Sequence, residues 1–122
     1  MSGKTKTDEN VSPGTVIPLV VSAAGKATKK LNLYLENVTW GMIPSYHAKD
    51  VPTSHFDLIN NRVEQLFAAD GYFKKLANSV ENRAIFVITG YYEWKVVARK
   101  KTPHYIYLAD GQSMNIAMLV DK

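Results

Sequence analysis

The chain has 122 residues, 46% of them hydrophobic and 11% aromatic, which is typical of a single globular domain. Fifteen Lys and Arg against eleven Asp and Glu give a net charge of +4, which suits a polyanionic partner without requiring one. The absence of cysteine excludes disulfides, thiolate metal sites and a thiol nucleophile. No apolar run approaches the roughly 18 residues of a membrane span, and the N-terminus lacks a signal-peptide core, so we expect an intracellular protein.

The first half of the chain predicts a leader, a turn and two strands. Residues 1–9 are polar and unpatterned, so we expect a flexible leader before a domain over 10–122. The pair Pro13-Gly14 predicts a turn, and Pro18 restricts the apolar run that follows to a sheet edge or a strand start. Residues 31–38 alternate between apolar and polar, which predicts a strand with its leucines directed inward (Leu31, Leu33 and Leu35).

The second half predicts helices followed by strands. Residues 62–69 and 72–80 have helical spacing, although Asp70-Gly71 separates them. Predicted strands follow, with a basic connection at 99–103 and a hairpin turn at Asp110-Gly111 (83–89, 91–98, 104–108 and 113–120). The chain is therefore expected to be α+β, with mostly antiparallel sheets and one or two helices.

A metal site is one possible reading of the long loop after residue 44. His47, Asp50, His55 and Asp57 lie within eleven residues and offer nitrogen and oxygen ligands. Their spacing fits no helical ligand pattern, and Pro52 interrupts them, so an ordinary polar loop is the favoured interpretation. No phosphate-binding loop and no nucleophilic serine motif occurs.

Glu93 stands between aromatic residues at the end of an apolar run. In a strand, Tyr92 and Trp94 share one face, and Tyr91, Glu93 and Lys95 share the other. Partial desolvation by the flanking rings would raise the pKa of the carboxyl toward values useful in proton transfer. The alternative is a solvated carboxylate paired with a lysine, which composition alone favours.

Single-stranded nucleic acid is a partner that the residues themselves suggest. Four cations lie in or beside the 99–103 connection, with no acidic residue between Glu93 and Asp110 (Lys95, Arg99, Lys100 and Lys101). Exposed rings at Trp40, Tyr46 or Tyr91 would stack on bases beside these charges. A solvated hairpin tip with buried aromatics is the equally weighted alternative.

Five separated stretches together resemble the SRAP family (SOS-response-associated peptidase). Their order and spacing agree over roughly residues 10 to 120, and each resembles one family motif in turn. The stretches are NVSPGT at 10–15, WGMIPSY at 40–46, INNRVE at 59–64, TGYYEWK at 89–95, and KTPHYI at 101–106 with ADGQ at 109–112.

The resemblance implies a barrel-like β core and a sensor of abasic sites in single-stranded DNA, active in the DNA damage and SOS responses. In the family, which is classed with peptidases, hydrolases and abasic-site lyases, an N-terminal cysteine forms a covalent thiazolidine link with the lesion. The motifs imply catalytic roles for Asn60 and Glu93, and DNA contacts for Trp40, Pro44 and Arg62. A monomer without metal, cofactor or membrane is expected, in the nucleus or in the bacterial cytoplasm.

The chain departs from the family pattern at both ends. Ser2 stands where the family has its cysteine, and the segment that carries the family's catalytic histidine lies beyond residue 122. None of His47, His55 and His104 matches that histidine motif. We therefore expect a truncated domain with DNA binding, or with weak Schiff-base chemistry at Ser2. The alternative is an inactive fragment or an interaction module.

Overall fold

A computed structural model of the chain describes residues 10–23, 32–44, 59–67 and 71–121. Its six strands form two separate antiparallel sheets (β1 Val16–Ser22, β2 Leu33–Thr39, β3 Arg83–Ile88, β4 Tyr91–Val97, β5 Lys100–Ile106 and β6 Met114–Leu119). The larger sheet has the order β2-β1-β3-β6, and the smaller one pairs β4 with β5. The α+β prediction is confirmed. The implied barrel is not, because these sheets do not close.

Strand β1 supplies the centre of the core. Ile17, Leu19 and Val21 alternate along it and are each 1% exposed, and they cluster with Ala84 and Val120. Burial of such side chains contributes roughly 1.5–3 kcal/mol each to folding.

The expectation that Pro18 limits this run to an edge or a strand start was wrong for the strand as a whole, because β1 has β2 on one side and β3 on the other. Proline is tolerated because β3 pairs with β1 only at Val20 and Val21. At Pro18 the strand therefore has a partner on one side alone.

The inward face of β2 differs from the prediction. Leu33 and Leu35 are 55% and 70% exposed, and Leu31 lies outside the described residues. The register aligns Val38 with the buried Ile17, and Glu36 with the buried Leu19, so the alternate residues face the core. The period of two was predicted. Which set of alternate residues faces inward depends on the register with β1, which the sequence of β2 alone does not reveal.

Two short helices link the halves of the larger sheet. The first is a single turn, α1 (Val63–Leu66), and the second is α2 (Tyr72–Asn78), followed by a 3-10 turn at Val80–Asn82. Leu76 is the buried residue of α2. The predicted helix to residue 80 ends earlier, and Val80 is half exposed. No helix in the described ranges is long and apolar enough to cross a membrane.

The β4–β5 hairpin turns at Ala98 and Arg99, whereas the predicted connection ran over residues 99–103. Ala98 and Arg99 both have positive φ, 47° and 65°, which is the pattern of a two-residue hairpin turn. The expected basic connection at 99–103 is therefore mostly strand, and β5 begins at Lys100. Every residue of β4 and β5 is exposed.

Asp110-Gly111 forms a turn but not the predicted hairpin. The amide of Gly111 donates to the carbonyl of Leu108 at 2.9 Å, and φ of Gly111 is +73°. The strands on either side belong to different sheets, because β6 pairs with β3 instead of β5. This turn thus leads the chain from the hairpin back to the larger sheet.

Candidate functional site

Trp40 is anchored where β2 ends. The amide of Gly14 donates to the Trp40 carbonyl at 2.7 Å, and the Trp40 amide donates to the carbonyl of Thr15 at 2.9 Å. Gly14 has a φ of +88°, a conformation that favours glycine, in the turn predicted from Pro13-Gly14. Two motifs that are far apart in sequence, NVSPGT and WGMIPSY, are thereby joined by backbone hydrogen bonds.

A cleft of about 770 Å³ opens beside this anchor. Trp40 and Asn60 both line it, with Ile17 and Leu19 from β1, Phe73 from α2 and Met118 from β6 on its other walls. Its lining is mostly apolar, and Trp40 is only partly buried. Such a concave surface with a ring and an exposed amide can hold a flat apolar group and orient a hydroxyl or an amine.

Asn61 lies next to Asn60 in the same wall and was not singled out from the sequence. Both polar atoms of its side-chain amide are buried, and neither has a hydrogen-bond partner among the described residues. A buried amide without partners costs about 1–3 kcal/mol. Its sequence position gave no sign of this burial, because residues beside a predicted helix start are usually solvated.

The other predicted DNA contacts lie around the cleft and do not line it. Pro44 is buried one residue beyond Ile43, which is a lining residue. Arg62 is exposed at the start of α1, two residues after Asn60. Trp40 and Asn60 therefore line one cavity. Arg62, two residues after Asn60, is exposed to solvent.

Glu93 lies on the β4–β5 hairpin and does not line the cleft that holds Asn60. It is exposed, which agrees with the alternative of a solvated carboxylate and not with partial desolvation by the flanking rings. The reason is the strand period, which puts the neighbouring rings of Tyr92 and Trp94 on the opposite face.

Across the ladder, His104 is the residue directly opposite Glu93. Opposed side chains in an antiparallel pair have Cβ atoms about 4.5–5.5 Å apart, so this carboxylate and imidazole are neighbours on one face. Pairing outward from the Ala98-Arg99 turn would have revealed this partner. Because Ala-Arg is not among the residue pairs preferred in two-residue hairpin turns, the pairing of Glu93 with His104 could not be predicted from the sequence.

Gly90 sets the position of the hairpin. A Cβ at this residue would lie 2.4 Å from Cζ and from the hydroxyl oxygen of Tyr105, and 2.7 Å from the carbonyl oxygen of Ile106. The hydroxyl groups of Tyr105 and Thr89 are also 3.4 Å apart. Glycine therefore permits the second strand to cross closely over the point where β4 begins.

Several predicted residues lie outside the described ranges. Ser2, the stacking candidate Tyr46, and the metal-ligand candidates His47, Asp50, His55 and Asp57 are among them. Within the described ranges, no three or more His, Asp or Glu side chains are grouped to hold a metal ion.

The five sequence motifs agree with a match of the whole sequence to one family. Residues 1–122 match the family described as SOS response associated peptidase (SRAP). The chain belongs to this family.

Curated relatives carry a common description. The chain is 36% identical over 110 residues to the abasic site processing protein YedK of Escherichia coli, a match that covers 90% of this chain and 43% of that protein. It is 31% identical over 88 residues to the abasic site processing protein YMR114C of Saccharomyces cerevisiae, covering 71% of this chain and 23% of that protein. The match to the abasic site processing protein HMCES of Gallus gallus is 28% over 79 residues. The chain thus spans less than half the length of the relatives it matches.

Proposed function

We propose that this protein recognises and processes abasic sites in single-stranded DNA. The observation that carries the proposal is the shared cleft: the aromatic residue and the amide of two family motifs, Trp40 and Asn60, line one cavity. The proposal also draws on the common description of the relatives as abasic site processing proteins. We propose that the amide of Asn60 orients the hydroxyls of an abasic sugar in this cleft, while the ring of Trp40 packs against the sugar or an adjacent base.

The proposed chemistry begins at the N-terminus. Once Met1 is removed, the α-amine of Ser2 attacks the aldehyde carbon of the ring-opened sugar, and loss of water leaves an imine. A carboxylate such as Glu93 carries protons to and from the intermediate in these steps. The amide of Asn60 orients the amine and the sugar hydroxyls through hydrogen bonds.

Without cysteine, the imine has two outcomes. Water can add back and release the aldehyde and the amine. Alternatively, removal of the proton on the carbon next to the imine expels the 3′ phosphate, so that the C–O bond to that phosphate breaks and the strand is cut. We therefore propose a transient adduct with weak lyase activity in place of a stable thiazolidine.

DNA contacts are proposed at three residues around the cleft. The guanidinium of Arg62 is exposed and can hold a phosphate through two parallel hydrogen bonds. Trp40 offers its ring to a base or a sugar, and Pro44, which is buried, fixes the backbone at the end of the described segment that carries Trp40. We propose that the protein acts as a monomer inside the cell, where its DNA is, and without a metal or cofactor.

Borohydride trapping tests the chemistry. The protein is mixed with a single-stranded oligonucleotide that carries one abasic site, borohydride is added, and the covalent product is quantified on a denaturing gel. We expect a product with the aldehyde and none with an oligonucleotide whose abasic site was reduced beforehand. We expect Asn60→Ala to lower the yield by tenfold or more, whereas Asn115→Ala, on an exposed face of β6, leaves the yield unchanged. Equal yields from these two variants would refute the role of the cleft.

Binding without catalysis is the second candidate. It is favoured by one observation, namely that Glu93 lies on the hairpin and not in the wall of the cleft. In that case the protein binds abasic single strands, but no product is trapped. Gel-shift titrations against log salt should then give a straight line, since phosphate contacts release counterions. No binding at low salt would exclude both candidates.

A further inference from the structure

The β4–β5 hairpin has two chemically different faces, which the ladder register assigns. One face carries Glu93 opposite His104, and Lys95 opposite Thr102. The other face carries three pairs, and we call it the aromatic face (Tyr92 opposite Tyr105, Trp94 opposite Pro103, and Val96 opposite Lys101). Carboxylates are absent from the aromatic face, since Glu93 points away from it.

Three tyrosine rings form a continuous row along this face. The ring centroids of Tyr92 and Tyr105 are 5.1 Å apart, and those of Tyr105 and Tyr107 are 5.7 Å apart with an interplanar angle of 26°. These rings stay open to solvent: Tyr92 is 52% exposed and Tyr107 is 62% exposed. Trp94 continues the row toward the hairpin tip and is 59% exposed.

Positive charge is concentrated at the tip end of the same hairpin. Lys101 lies on the aromatic face itself, and Arg99 occupies the turn. Lys95 and Lys100 add two more charges on the opposite face of the same hairpin, and no acidic residue occurs between Glu93 and Asp110. The hairpin therefore combines a row of exposed rings with a cationic end.

We propose that the aromatic face of the hairpin is a binding surface for single-stranded nucleic acid, separate from the cleft. Bases of a single strand present flat π-faces that would stack on the tyrosine and tryptophan rings, while its phosphates would meet Lys101 and Arg99. Charge complementarity selects this occupant, because an apolar peptide or a second copy of this cationic hairpin would leave the cations without anionic partners. A duplex keeps its bases stacked inside and offers none to the rings. The inference rests on the proposed function in one respect: the strand bound by the hairpin is taken to be the strand that carries the abasic site.

Tryptophan fluorescence separates this surface from the cleft, because the chain has two tryptophans, one at each place. In Trp40→Phe the emission reports on Trp94 and the hairpin, and in Trp94→Phe it reports on Trp40 and the cleft. Undamaged oligo-dT and oligo-rU of about eight nucleotides are titrated at low salt, with heparin as a polyanion that lacks bases.

We expect both oligonucleotides to quench Trp94 by stacking, with little change on heparin addition. Equal quenching by dT and rU indicates stacking without recognition of the sugar. Stronger quenching by one of them identifies DNA or RNA as the preferred ligand. No quenching of Trp94 by either oligonucleotide, or equal quenching by heparin, would overturn the inference. A blue shift of Trp94 emission with protein concentration alone would also overturn it, since a second copy would then cover the face.

Charge variants test the cationic end. We expect Lys101→Glu to weaken oligo-dT binding by about tenfold and to reduce the slope of log affinity against log salt by about 0.7 or more. Lys75→Glu makes the same charge change on an exposed position of α2 and serves as the matched control, with an effect below twofold. If both variants weakened oligo-dT binding equally, the change in net charge would explain the loss, and the proposal would be contradicted.

The stacking arm uses Tyr107→Ala. Tyr107 follows the last residue of β5, so its removal leaves the paired ladder in place. We expect a fivefold to tenfold loss in dT affinity, and no loss would contradict stacking at this ring. Trp94 quenching together with failed borohydride trapping would uphold the hairpin surface and refute the proposed Schiff-base chemistry. Trapping without Trp94 quenching would uphold the proposed chemistry and refute the hairpin surface.

Discussion

The close crossing at Gly90 predicts that alanine at this position loosens the hairpin. The new Cβ would lie 2.4 Å from two side-chain atoms of Tyr105 and 2.7 Å from the backbone oxygen of Ile106. Ordinary contacts begin near 3.4 Å, so the second strand must retreat by roughly 1 Å, which typically costs about 1–3 kcal/mol. Alanine recovers about 0.4–1 kcal/mol by restricting the unfolded chain. The net expectation is a destabilisation of about 1–2 kcal/mol.

Hydrogen exchange on the amides of β4 and β5 measures this loss where it occurs. A two-stranded hairpin is marginally stable, so its local opening is the sensitive quantity. A loss of 1.4 kcal/mol corresponds to about tenfold faster exchange. Adding Tyr105→Leu to the Gly90→Ala variant should restore only part of the protection, because the Ile106 oxygen still blocks the Cβ.

The matched control is Gly111→Ala. It makes the same chemical change where no atom lies within 4 Å, and its cost arises from the φ of +73° in a turn outside the hairpin. We expect hairpin amides in this variant to exchange at the wild-type rate. If Gly90→Ala also left their exchange unchanged or slower, the steric reasoning would be refuted.

Three further substitutions are expected to change hairpin stability, the Tm and the stability of the covalent product, respectively. Ala98→Asn should slow exchange of the hairpin amides, because asparagine tolerates the positive φ at this turn position better than alanine does; faster exchange would contradict the assigned turn. Asn61→Ala should raise Tm by about 4 °C in a thermal melt, because it removes a buried amide without partners among the described residues; a lower Tm would mean that the amide is satisfied. Ser2→Cys should give a covalent product that survives without borohydride, because the thiol closes a ring on the imine; a product that still requires borohydride would contradict this view of the missing thiol.

Local chemistry made much of the fold predictable. The turn at Pro13-Gly14, the period-two alternation along β2, and the separation of β3 from β4 at Gly90 all follow from properties of single residues or short runs. What could not be predicted depends on pairing between distant segments. The inward face of β2 is set by its register with β1, and Pro18 is tolerated because β3 begins to pair only further along β1.

The same distinction holds for the site. Motif order identified Asn60 and Trp40, and the structure brings both to one cleft. Two interpretations of Glu93 were open, a carboxylate desolvated by the flanking rings or a solvated one, and its exposure on β4 agrees with the second. His104 became a neighbour of Glu93 only through a turn at Ala98-Arg99 that lacks the usual turn residues. The role of each of these residues in a reaction stays a prediction.

The most direct test of the central claim is to locate the covalent adduct. After borohydride trapping with an abasic single strand, nuclease and protease digestion followed by mass spectrometry identifies the peptide that carries the reduced sugar. The proposed mechanism predicts one modified position, the α-amine of Ser2 in chains that have lost Met1. An adduct spread over surface lysines, or no adduct at all, would contradict the claim that this chain processes abasic sites through its N-terminus.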